Sequence, residues 1–169
     1  IAFTVLLGVQ QSARALEIPL HPDEAKIVEQ IISVEGHAVE VAEVPGWAKG
    51  GVVNRLKEAG VETTGLKTWG VRDTKMNAVS FNCVYDANGR VLALFGNGPW
   101  LRDESLRALK GMPELRSIRF DHNGFLRQHP LSPLYSGEGF DVLADSKLID
   151  IKLTLGINDT GMEQAAKIK

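Results

Sequence analysis

Residues 115–123 read LRSIRFDHN, an L-x-x-L-x-L-x-x-N spacing in which isoleucine and phenylalanine replace the second and third leucines. Residues 148–156, LIDIKLTLG, repeat its apolar positions 33 residues later, with Gly156 in place of Asn123. Residues 92–97, LALFGN, match its second half. Self-similarity at a fixed period is typical of repeat proteins, whose units bury their apolar faces by stacking. The spacing therefore predicts a repeat architecture.

Each unit is expected to contain a strand, a turn and a helix. Positions two apart in a strand point to the same side, so Ile118 and Phe120 would face a core shared with a helix. The predicted strands are 90–95, 115–120 and 148–155, and the predicted helices are 105–110, 137–144 and 159–169. We therefore expect an α/β solenoid fragment over 91–169, with parallel strands on one face and helices on the other.

Residues 16–90 show different patterns. A helix is predicted to open at Pro22, because proline and acidic side chains suit the first helical turn. Alternating apolar residues in 38–44 predict a half-buried strand, and 52–59 predict a second helix. Strands 78–85 and 90–95 flank Asn88-Gly89, which predicts a hairpin turn because both residues tolerate positive φ.

Composition places the chain among ordinary globular proteins. Its 169 residues are 44% hydrophobic and 24% charged, and the net charge is -2. This charge gives no electrostatic reason to expect binding to nucleic acid or to an acidic membrane. The single cysteine, Cys83, excludes an internal disulfide and a multi-cysteine metal site, and it is expected to be a small buried apolar residue.

The two ends of the chain carry their own signals. Residues 1–9 are mostly apolar and Ala13-Arg14-Ala15 fits a cleavage site, so 1–15 are interpreted as a truncated signal peptide. The apolar run is too short to span a membrane. The protein is therefore expected to be secreted or periplasmic, with a buried N-terminal strand as the alternative. The last helix lacks a cap, which predicts that the repeats are incomplete at the C-terminal end.

These features resemble the leucine-rich repeat family, and secreted bacterial members in particular. Such proteins carry a short D-x-G-L lead into each helix, which residues 102–106 (RDESL) and 158–162 (NDTGM) approximate, with 136–140 (SGEGF) as a weaker copy. The resemblance implies that 16–90 form an N-terminal cap. It also implies protein–protein recognition over a concave strand face, with no catalytic residue.

The candidate binding residues are those that alternate with the apolar strand positions and would point outward. They are Ala93, Phe95, Ser117, Arg119, Asp121, Asp150, Lys152 and Thr154. Mixed charges beside an exposed aromatic ring suit a protein interface with a polar rim and an apolar anchor. An ordinary solvated sheet face is the alternative.

Other side chains are not assigned to chemistry. His122 and His129 lie near Asp121, but their spacing matches no zinc-ligand pattern, so no metal and no cofactor are expected. Trp47, Trp69 and Trp100 lie in segments with glycine or proline and are expected to cover the ends of the core. Exposed stacking against a sugar is the alternative for these rings.

We therefore expect a non-catalytic module of an exported protein that binds a protein partner through its strand face. One alternative is a non-catalytic repeat arm of a larger exported enzyme. Another is an isolated α/β enzyme, which would need a deep pocket with convergent titratable groups.

Overall fold

The computed structural model describes residues 16–34, 36–76, 79–98, 100–121, 136–153 and 159–168. Its strands are β1 (Val39–Val41), β2 (Lys67–Asp73), β3 (Ser80–Tyr85), β4 (Val91–Asn97), β5 (Ser117–Asp121) and β6 (Asp150–Leu153). Its α-helices are α1 (Pro22–Ile32), α2 (Gly46–Glu58), α3 (Asp103–Ala108) and α4 (Asp159–Ala165), and 3₁₀ helices of the described chain span Leu109–Gly111 and Glu138–Leu143. The predicted signal peptide, the two loop histidines, Asn123, Thr154 and Gly156 lie outside the described residues.

The described strands form one sheet in chain order, from β1 to β6. Strands β1 to β4 pair antiparallel, and β4, β5 and β6 pair parallel. The predicted solenoid is wrong, because a solenoid repeats one crossover in one direction, whereas the first half of this sheet reverses direction at every step. The sheet is mixed and is not closed. The repeated spacing identified the parallel strands but did not identify the antiparallel ones.

The predicted hairpin between β3 and β4 is present. Asp86 Oδ1 accepts hydrogen bonds from the backbone N–H groups of Asn88 and Arg90, at 2.8 and 2.9 Å. Gly89 has φ 76°, and a Cβ there would approach the backbone nitrogen of His21 to 2.6 Å. Glycine is therefore required both by the turn and by the close approach of the chain that leads into α1.

Helices cover both faces of the sheet, whereas the sequence predicted them on one. The core face carries Phe81, Leu94 and Phe120, and it packs against α1, α3 and the 3₁₀ helix Glu138–Leu143. We call the opposite side the groove face; α2 covers its middle. There Val52 and Leu56 of α2 pack on four buried side chains of β3 and β4, which are Val84, Leu92, Ala93 and Phe95.

Two carboxylates fix the connections between elements. Glu24 of α1 is 0% exposed and accepts hydrogen bonds from the backbone N–H of Val91 (2.6 Å) and from Arg90 Nη1 (3.0 Å). Asp103, at the start of α3, accepts hydrogen bonds from the backbone N–H groups of Ser136 and Gly137, both at 3.1 Å. The first contact holds α1 on the start of β4, and the second holds α3 against the segment before the 3₁₀ helix.

Asp73, at the end of β2, is also buried. Its Oδ2 lies 2.7 Å from His37 Nδ1, and its Oδ1 accepts the backbone N–H groups of Lys75 and Met76 at 2.7 and 2.8 Å. Burial acts to raise the pKa of Asp73, but the hydrogen bonds from Lys75, His37 and Met76 outweigh it and hold the pKa below its usual value.

Candidate functional site

A groove of about 870 Å³ lies between α2 and the groove face of the sheet. One wall comes from α2, and the floor comes from β2 to β6. The residues that line it are Val41, Ala42, Glu43, Pro45, Trp47, Ala48, Gly51, Val52, Arg55, Val71, Arg72, Ser80, Asn82, Phe95, Gly96, Asn97, Arg119, Asp121 and Lys152. The lining thus combines an apolar rim with a polar and charged floor.

The strand register arranges the floor in cross-strand rows. Residues paired directly across a sheet project to the same face, about 5 Å from one another. One row runs Arg72, Ser80, Asn97, Asp121 from β2 to β5. The next runs Gly70, Asn82, Phe95, Arg119, Lys152 from β2 to β6. The floor therefore has uncharged side chains at its centre, one arginine on the β2 side, and two basic side chains with one carboxylate on the β5–β6 side.

The structure brings together half of the predicted binding residues. Phe95, Arg119, Asp121 and Lys152 all line the groove. Their alignment follows from the parallel register, which pairs Phe95 with Arg119 and Arg119 with Lys152. These positions come from three segments of sequence, and only strand pairing places them next to one another.

Three of the predicted residues are buried instead of facing outward. Phe95 is 5% exposed, so it is not the open aromatic anchor that its position in the sequence suggested. Ala93 is buried with it, because α2 packs on this part of the sheet. Ser117 is buried as well, and its hydroxyl donates a 2.8 Å hydrogen bond to Asp150 Oδ2.

Ion pairs organise the uncovered end of the groove face. Arg119 Nη1 lies 3.0 Å from Asp150 Oδ2, and Lys152 Nζ lies 3.5 Å from Asp121 Oδ1. Both pairs join β5 to β6 and are partly exposed to solvent. Exposed pairs of this kind contribute little to stability, on the order of 0–1 kcal/mol each. Each basic side chain at this end of the groove therefore already has a carboxylate partner.

Sequence reasoning missed the wall and the far side of the groove. Trp47 of α2 is 81% exposed, and Val41 of β1 is 54% exposed. Both residues line the groove and form an apolar part of its rim. The prediction that Trp47 covers the core is wrong, whereas Trp69 and Trp100 are buried. Pro45-Gly46 could have signalled a helix start before Trp47, since proline commonly begins helices. No local pattern shows that α2 crosses the groove face.

Asn82 occupies the centre of the floor and is 5% exposed. Its Nδ2 donates long hydrogen bonds to Ser80 Oγ (3.3 Å) and to the Phe95 carbonyl (3.4 Å). A carbonyl only accepts, so the amide nitrogen must be the atom on that side. Asn82 Oδ1 then lies over Gly70, where an added Cβ would collide with it. A side chain larger than glycine at position 70 would therefore displace the Asn82 amide from its place on the groove floor.

The candidates for nucleophilic or acid–base chemistry lie elsewhere. Cys83 is buried on the core face, where burial raises the pKa of its thiol to about 12. His37 packs against the Trp100 ring on the same side of the sheet. Neither lines the groove, so the two most reactive residue types of the described chain do not face it.

Within the described ranges, no three His, Cys, Asp or Glu side chains come together in a way that could hold a metal ion. No helix of the described chain combines the length and the apolar character needed to cross a bilayer.

Comparisons of the chain with protein-family models, with curated proteins and with solved structures found no match. The resemblance to leucine-rich repeat proteins therefore stays a prediction based on local spacing.

Proposed function

We propose that this chain is a non-catalytic binding module that holds an extended segment of a partner protein in the groove beside α2. The observation that carries the proposal is the composition of the groove, in which an exposed tryptophan and valine border a floor of arginine, lysine and amide groups. Aromatic residues and arginine are enriched where proteins bind proteins, and they contribute most of the binding energy there.

The size of the groove suits such a ligand. Its volume of about 870 Å³ lies within the range of about 300–1,000 Å³ that is typical of ligand sites. Trp47 offers a large apolar surface that is not used in the core. An exposed tryptophan costs solvation free energy, and a bound apolar side chain would remove that cost.

A binding role fits the chemistry of the lining better than a catalytic role. Among the described residues that line the groove there is no histidine and no cysteine. Of the two lining carboxylates, Asp121 is paired with Lys152 at 3.5 Å. Side chains of this kind can recognise a ligand by charge, but they form no nucleophile–base pair of the sort that acyl or phosphoryl transfer uses.

Two glycines of α2 allow a direct test. Gly51 lines the groove and Gly50 does not, and a Cβ at either position would have no atom within 4 Å. Gly51 lies one helical turn from both Trp47 and Arg55, so a side chain there would share their face. Gly51→Phe should therefore block the groove without disturbing the core, and Gly50→Phe is the matched control.

The experiment is selection of peptides from a random displayed library on the whole chain, followed by titration of the selected peptides against both variants. We expect selected peptides to lose at least about tenfold in affinity for Gly51→Phe, equivalent to about 1.4 kcal/mol, and to keep their affinity for Gly50→Phe. Recovery of no binding peptide, or equal affinity for the two variants, would overturn the proposal.

A further inference from the structure

We infer that the outer edge of β1 is a second docking site, which binds an extended segment of another protein as an additional strand of the sheet. The segment carries apolar, valine-like side chains at two alternate positions and a residue other than an acid between them. The inference goes beyond the proposed function, because it concerns main-chain groups at the edge of the sheet and not the lining of the groove. It depends on the register of β1, on its exposure and on its side chains.

The hydrogen bonds between β1 and β2 show which residues of β1 face the sheet. The Ala42 N–H donates to the Gly70 carbonyl at 3.0 Å, and the Thr74 N–H donates to the Ala38 carbonyl at 2.8 Å. In an antiparallel pair, residues that bond the neighbouring strand alternate with residues whose N–H and C=O point the other way. The even-numbered residues 38, 40 and 42 therefore direct their main-chain groups to β2.

Val39 and Val41 consequently direct two N–H donors and two carbonyl acceptors away from β2. β1 is the first strand of the sheet, and no residue of the described chain pairs with this outer side. An extended chain presents its own N–H and C=O groups at the same repeat of two residues. It can therefore bond all four groups, which is how peptides add a strand to an exposed sheet edge in other proteins.

The edge is accessible and lacks several features that protect the edges of sheets. Val41 is 54% exposed, and Ala38 and Glu40 are exposed as well. Natural proteins block strand addition with prolines, with lysines or with bulges. Residues 38–42 contain no proline and no lysine, and Val39–Val41 pair with β2 in a regular register. A partner strand would therefore meet no steric obstacle within these residues.

The side chains of β1 determine which sequence fits. Val39 and Val41 project to one face of the sheet and Glu40 projects to the other, because side chains alternate along a strand. Apolar side chains directly opposite each other in neighbouring strands stabilise the pairing by about 0.2–1 kcal/mol, whereas like charges destabilise it. The segment should therefore carry apolar residues opposite the two valines and no acid opposite Glu40.

Glu40 also argues against a second copy of this chain as the occupant. Two copies of β1 related by a twofold axis use all four outward groups when Val39 of each lies opposite Val41 of the other. That register places Glu40 directly opposite itself, which is destabilising. Arg72 bonds Glu40 at 2.7 Å, but it lies on β2 and not between the two carboxylates. A segment of different sequence avoids this repulsion.

The test is titration of the ¹⁵N-labelled native chain with a synthetic peptide of sequence Lys-Thr-Val-Thr-Val-Thr-Lys with blocked ends. At a peptide concentration ten times the Kd, the amide protons of Val39 and Val41 should exchange with solvent about tenfold more slowly, because each becomes hydrogen-bonded. The amide protons of Glu40 and Ala42 should change little, since they already face β2. Absence of binding, or equal protection of all four amides, would overturn the inference.

Modified peptides test the main-chain contacts without any change to the protein. Methylation of the two valine nitrogens removes the donors that face β1 and should weaken binding at least about tenfold. The same change at two threonine nitrogens removes donors that point away and should weaken it less than about twofold. Glutamate in place of the central threonine should weaken binding about threefold. Equal effects of the two methylation patterns would contradict strand addition.

A matched pair of variants tests the edge itself. Val41→Pro removes an outward N–H but none of the bonds to β2, and proline is tolerated on edge strands where the N–H faces solvent. It should weaken the peptide at least about tenfold, whereas Val41→Thr, which keeps the N–H and a β-branched side chain, should weaken it less than about threefold. Unchanged binding by a folded Val41→Pro chain would overturn the inference, and the methylated peptides decide the question if that variant does not fold.

Light scattering separates the remaining occupant. The native chain should have the mass of one copy, and a dimer that Val41→Pro dissociates would show that a second copy occupies the edge, which would overturn the inference. The inference and the proposed function fail separately, because library peptides are compared on Gly51→Phe and the valine–threonine peptide is compared on Val41→Pro.

Discussion

Replacing Glu24 with alanine should remove a large part of the stability of this protein. The Glu24 carboxylate is 0% exposed and receives two hydrogen bonds, from the Val91 backbone and from the Arg90 side chain. Val91 is itself fully buried, so after the substitution no water would replace the lost acceptor without opening the core. The contact also joins residues that are 67 apart in sequence.

The magnitude follows from these two bonds. A hydrogen bond to a charged group contributes about 1.5–3 kcal/mol, which gives about 3–6 kcal/mol for the pair. We therefore expect Glu24→Ala to lower the free energy of unfolding by about 4 kcal/mol, out of the roughly 5–15 kcal/mol that is typical of a domain. Glu24→Gln, which keeps an oxygen for the Val91 N–H, should cost about half as much.

Urea unfolding followed by circular dichroism measures both values. Glu29→Ala is the matched control, since Glu29 lies exposed on the same helix and its removal should change stability by less than about 0.5 kcal/mol. A loss below about 1 kcal/mol for Glu24→Ala, or equal losses for Glu24→Ala and Glu29→Ala, would show that the carboxylate does not hold α1 on β4 as described.

Three further outcomes follow from other contacts. Gly50→Ala and Gly51→Ala should each raise the free energy of unfolding by about 0.5–1 kcal/mol in urea titrations, because both positions are helical with open space around a Cβ. Asp103→Ala should lower it by about 2–3 kcal/mol, because it removes the acceptor for three backbone N–H groups and the Ser136 hydroxyl, and no change would refute that role. The folded-state pKa of Asp73 is lowered, so its contribution is complete at neutral pH and is lost as the pH falls below about 4. Asp73→Asn should therefore reduce the loss of stability between neutral and acid pH, and an unchanged pH profile would contradict this reasoning.

The candidate site shows which features a local sequence pattern can predict and which it cannot. The alternation that singled out Phe95, Arg119 and Lys152 correctly placed them in one row, because side chains alternate with a period of two in every strand. It could not show whether this row faces solvent. Phe95 is buried and Trp47 is exposed because α2 packs on the sheet at one place and not at another. Which element covers which face depends on contacts between residues far apart in sequence.

The sequence alone determined the local features of this protein. The turn at Asn88-Gly89, the start of α1 at Pro22 and the alternating faces of β4 and β5 all depend on backbone preferences within a few residues. Only the tertiary structure decided that the sheet is mixed, that helices cover both faces and that a groove opens beside α2. Strand direction and helix placement are set by burial of apolar surface across the whole chain, and the same local spacing is compatible with a stacked solenoid or with this single open sheet.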